Sequence, residues 1–178
     1  MNSTLRALSE HETKLYNAAV SATGTMEQCE QQLRGKGIFD EYKRIHGQYL
    51  TLFDETFEPI VKLEALKRLI FLNWYHVVEP SCLTGIGEFE EVTLYSSFER
   101  LNTYIIQCKL DHELQWMLSY YSCWDWILLA YAEPYLVELT AFIKSVDTSI
   151  SHSEQNQPAA MDNRGQMGIY WQSHSIGR

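Results

Sequence analysis

The chain has 178 residues, 46% hydrophobic and 21% charged, which is enough for a packed core and too apolar for a disordered chain. Its formal net charge of −9 repels phosphate backbones, so no nucleic-acid binding is expected and basic partners are favoured. The first residues lack the pattern of a signal peptide and no apolar run approaches the ~18 residues of a membrane span, so a cytoplasmic protein without membrane association is expected. In that compartment Cys29, Cys82, Cys108 and Cys123, none in a Cys-x-x-Cys pair, read as reduced thiols.

Helical periodicity dominates in chain order. Ser9-x-x-Glu12 and Thr25-x-x-Gln28 have the form of capping boxes, in which a hydroxyl and a side-chain acceptor satisfy first-turn N–H groups. Arg34-Gly35-Lys36-Gly37 stops the second helix. The third is the most regular. Ile38, Tyr42, Ile45, Tyr49, Leu52 and Thr56 form one stripe, with Phe39, His46, Leu50, Phe53 and Phe57 beside it. Pro59 breaks it and opens a fourth helix, apolar nearly all round, which Pro80 ends. After a loop through Gly85 and Gly87, further helices are predicted from Glu88, from an Asp111 cap with Leu114, Met117, Tyr121, Trp124 and Leu128 in register, and from Glu133-Pro134.

The expected fold is all-α: a single bundle of six or seven mostly antiparallel helices over residues 1–147. A polar, loose C-terminal tail is expected over 148–178, where Ser, Gln, Asn and Gly dominate and the charges cancel. Ile169-Tyr170-Trp171 is the one apolar island in that tail.

The candidate site lies on the fourth helix. Asn73 and His76 sit in an apolar, aromatic run with Trp74, and a buried polar group without a partner costs about 1–3 kcal/mol. With Pro59 as the turn between antiparallel neighbours, residues some thirteen before and after it come level, which places His46 beside Asn73 and within about a turn of His76. Asp125, between Trp124 and Trp126 with Leu118 and Leu129 on its side of the helix, is expected to be paired, hydrogen-bonded or protonated. His46, Asn73, Trp74, His76 and Asp125 are therefore the candidate ligand-binding residues.

A metal is the alternative use of His46, His76, Glu79 and Asp125, because imidazoles and carboxylates on facing helices hold metals in bundles. The Glu-x-x-His spacing of ferritin-like sites is absent, and core histidines satisfied by the fold are the plainer reading. Glu64, Arg68, Tyr75 and Glu79 fall together on what reads as the solvated face of that helix, and His11-Glu12 as a solvated helix start.

No catalytic motif or cofactor signature is present. Gly85-Ile86-Gly87 lacks the preceding strand of a phosphate loop. The expected function is that of a protein-binding module. An acidic helical protein can neutralise a basic partner, as inhibitors of the immunity type do, a comparison that rests on charge and size alone. A metal- or ligand-binding bundle around His46, His76 and Asp125 is the alternative, and homo-oligomerisation through surplus aromatic surface stays open.

Overall fold

The computed structural model describes residues 2–147 and 161–175, and among them the fold is all-α with no strand. The chain divides into two compact units, Met1–Glu90 with Asn156–Arg178, and Glu91–Gln155.

The first unit is built on an antiparallel pair, α3 (Ile38–Glu55) and α4 (Pro59–Val78). Pro59 occupies the first turn of α4, where its missing N–H costs nothing. The pairs Phe53 with Lys62, Tyr49 with Arg68 and His46 with Asn73 step away from the turn in order, which fixes the register. From Ala65 to Trp74 every residue of α4 is buried, as its all-round apolar pattern requires. Trp74 is core, packed edge-on against Tyr170 at 5.5 Å.

α1 (Ser3–Val20) lies on α3, and α2 (Met26–Gly35) on α3 and on the short α5 (Ser81–Thr84). The Thr25–Gln28 capping box opens α2 as expected. That at Ser9–Glu12 does not exist: α1 starts at Ser3, capped by Asn2, and Ser9 and Glu12 are buried mid-helix. Phe57 also leaves its expected stripe. α3 ends at Glu55, so Phe57 falls in the turn and is fully exposed.

The second unit packs α6 (Glu91–Ile106), α8 (Asp125–Ala132) and α9 (Val137–Ser145) against one another, with α7 (His112–Tyr121) leading into a 3-10 turn at Ser122–Trp124. Asp111 caps α7 by accepting the Leu114 N–H at 2.8 Å. Phe98 stacks on Tyr131 at 5.1 Å, and Asn102 accepts the Leu139 N–H at 2.8 Å near the start of α9. The expected register from Leu114 to Leu128 is broken at Trp124, whose backbone (φ −117, ψ 56) is not helical. α6 begins at Glu91 rather than Glu88, and α9 at Val137 rather than directly after Pro134.

The expectation of a loose tail gives way over residues 161–175. α10 (Gly165–Ser175) docks on α1 and α4, burying Met161, Met167, Tyr170 and Trp171. The island 169–171 thus completes a core rather than hanging free; residues 148–160 and 176–178 lie outside the described residues. Gly165 makes the docking possible. Its φ is +60°, and a Cβ there would lie 2.6 Å from the Glu12 carboxyl. Gly47, on α3, has open space around its Cβ position. Gly165→Ala should lower unfolding free energy by about 1–2 kcal/mol from backbone strain alone, whereas Gly47→Ala should raise it by roughly 0.5–1 kcal/mol. Urea melts of the two variants check this; equal responses would show that α10 is not seated on Glu12.

Candidate functional site

The helix pair brings His46, Asn73 and His76 together as the register argument expects. His46 is fully buried, and its Nε2–H donates to Asn73 Oδ1 at 2.6 Å. That tautomer leaves Nδ1 as a bare acceptor inside the core with no partner. The ring stacks on Phe89 at 4.0 Å, and His76 meets the same phenyl at 5.3 Å. Burial drives the His46 pKa down to about 3, with the Asn73 bond pulling upward and nearby His76 adding a small push down. Burial also lowers His76, against the pull of the Asn73 and Leu72 backbone. Both imidazoles are therefore neutral at pH 7.

Asp125 does not join them. It is exposed in the first turn of α8, in the second unit, because the 3-10 turn resets the helical wheel before it. Glu79 caps α4 at the edge of a cleft and is half-buried. Among the described residues no three His, Cys, Asp or Glu side chains gather where they could hold a metal ion.

A different polar cluster, absent from the sequence reading, fills the first unit. Arg68, on the face of α4 expected to be solvated, is 1% exposed. Its Nη1 donates to the Leu5 carbonyl at 3.2 Å, to Tyr49 Oη at 3.0 Å and to Ser9 Oγ, and its Nε to Glu64 Oε1 at 2.8 Å. Glu12, also 1% exposed, accepts from the Tyr49 hydroxyl and from the Gln166 N–H at 3.0 Å. Arg164 closes the cluster with two bonds to Glu64, at 2.8 and 2.5 Å. Two carboxyl groups and two guanidinium groups thus tie α1, α3, α4 and the segment leading into α10 together.

Burial raises the Glu12 pKa, opposed by Arg68, the Tyr49 hydroxyl and the Gln166 N–H. Burial works against the Arg68 charge, and Tyr49, Glu64 and Glu12 outweigh it to raise its pKa. The cluster lies within the core and acts there as structure: Arg68 and Arg164 pair with Glu64, and Glu12 is held by hydrogen bonds from Tyr49 and Gln166, as burial demands. Ser9, Glu12, Glu64 and Arg68 follow i, i+3 and i, i+4 spacings, the only local signal that could have flagged them.

The second unit instead places its chemistry outside. Trp126 is 60% exposed and Tyr135 86% exposed, and exposed Asp125 stands beside Trp126. Trp126 and Ala130 follow one helical stripe of α8, both exposed, and exposed Glu133 caps its end. From Glu91 to Asp147 eight carboxylates face three cations, a balance of −5 and more than half of the chain's net charge. Of the carboxylates nearest these aromatics in the chain, Asp125 is exposed, whereas Glu133 accepts from Lys144 Nζ at 2.5 Å. No known protein family matches the chain, and neither does any curated protein or solved structure.

Proposed function

We propose that the protein is a binding module for a basic protein partner and that it engages the partner through the second unit. The observation that carries this reading is the exposed Trp126 on the α8 stripe, next to Asp125 and followed by Glu133 and Tyr135. Tryptophan and tyrosine supply most of the energy at protein interfaces, and they can also stack on arginine or lysine of a partner. The net charge of −5 over residues 91–147 would speed the approach of a basic surface and reject acidic ones. An inhibitor that blocks a basic active site, in the manner of immunity proteins, is the form of such a module that charge and size favour.

The test is capture of partners from a lysate of the source cells, followed by titration of the captured protein against wild type, Trp126→Ala and Asp125→Lys. A basic partner is expected. Trp126→Ala should weaken it by about 2 kcal/mol, roughly thirty-fold. Asp125→Lys should slow association and flatten its salt dependence. An acidic partner, or one that binds both variants as tightly as wild type, would sink the reading.

A further inference from the structure

A cleft of about 680 Å³ opens in the first unit, between α2–α3 and the corner where α4 passes through Pro80 into α5. Its volume is that of a small-molecule or side-chain pocket. Phe39 and Val77 supply apolar wall, with Ile86 buried behind them, and His76 adds its imidazole. The wall is preformed. Gly87 presses its backbone onto the Phe39 ring so closely that an added Cβ would lie 3.1 Å from it.

The charges of the cleft are not balanced. Lys43 is engaged by Glu90 at 3.2 Å, and Glu30 accepts the Ser81 hydroxyl at 2.5 Å. Among the described residues no cation pairs with Asp40, Glu79 or Glu88, all three of which line the cleft. One of its own cations shows what the wall accepts: the Arg34 guanidinium rests over the Phe39 ring, 5.3 Å from the centroid. An aromatic face already carrying a cation, beside three unpaired carboxylates, selects positive charge on a carbon stem.

We propose that this cleft binds an organic cation, a primary ammonium or guanidinium group on an apolar stem, with the stem against Val77 and the open part of the Phe39 ring and the charge among Asp40, Glu79 and Glu88. The group could arrive as a free amine or as a lysine or arginine side chain. The site is independent of the surface on the second unit.

The test is amide and imidazole chemical-shift titration of the full chain with hexylamine, hexanol, hexanoate and acetyl-Ala-Lys-Ala-amide. Hexylamine should shift Val77, Ile86 and His76 with saturation, and hexanol and hexanoate should bind at least about tenfold more weakly. The exposed pair Asp40→Asn with Glu88→Gln should weaken hexylamine by about tenfold or more, and Arg34→Ala should tighten it by freeing the Phe39 face and removing a like charge. Tighter binding of the peptide than of hexylamine would identify a partner's side chain as the source, and the reverse a free amine. Trp126→Ala should leave every one of these titrations unchanged, so failure here and failure of the binding-module reading are separable. Equal binding of hexanol and hexylamine, no response to the charge-removing pair, or no saturable shift with any amine would overturn the proposal.

Discussion

Replacing Arg68 by Met should lower unfolding free energy by about 3–5 kcal/mol, the cost of leaving a buried partner charge uncompensated. Arg68 is 1% exposed and serves Leu5, Ser9, Tyr49 and Glu64 at once, so no single neighbour can replace it. The loss should depend on pH in a defined direction. Burial already holds the Glu12 carboxyl above its ordinary 4.5, and Arg68 is the strongest influence pulling it back. A carboxyl raised in the folded state stabilises the fold fully below its unfolded pKa, and that contribution is lost as pH rises through the folded-state value. Without Arg68 the folded-state value rises further. The difference between wild type and Arg68→Met should therefore be smaller near pH 5 than near pH 8. Adding Glu12→Gln should restore part of the loss, because the amide needs no counter-charge. Urea melts at the two pH values check this; a loss under about 1 kcal/mol at both would mean that the cluster is not coupled as its geometry implies.

The second large effect has the opposite pH dependence. His46 titrates near the ordinary 6.5 when unfolded and at about 3 when folded. A base whose folded pKa is depressed stabilises the fold above its unfolded value, and that stability is lost as pH falls toward the folded one. Between pH 6.5 and about 3 the unfolded chain takes up a proton that the folded chain refuses, at roughly 1.4 kcal/mol per pH unit. His46→Gln keeps a donor for Asn73 Oδ1 but cannot titrate. It should be less stable at pH 7, through loss of the stacking on Phe89, yet its stability should decline less steeply on acidification, by about one proton's worth of slope. Parallel slopes for wild type and variant would show that His46 is accessible to solvent protons in the folded state.

What could be read from the chain follows from the range over which each side chain is determined. The His46–Asn73 contact was legible because one short turn at Pro59 fixes the register of two adjacent helices. Arg68 and Glu12 were not. On an isolated helix a charged stripe looks solvated, and the cover over Glu12 arrives from Gln166, 154 positions away. Asp125 was misplaced by an assumption of continuity: one non-helical residue at Trp124 rotates everything after it. Phe57 failed for the same reason at a helix end, where periodicity outlasted the helix by two residues. The fold class survived these errors because it rests on many local periods, whereas a site depends on a few side chains whose surroundings come from elsewhere.

The route of the chain also sets an order of assembly during translation. The first unit leaves its task at Glu90 and resumes it at Asn156, while the second is a continuous stretch. A nascent chain emerging from the ribosome can therefore finish the second unit while the first still lacks Arg164, Gln166 and Trp171. Until those residues appear, Glu12 and Glu64 wait without their last partners and the apolar bed of Trp171 stays uncovered. The earliest part of the protein to be made is thus the last to be sealed, and its exposure to chaperones and proteases lasts as long as synthesis of everything in between.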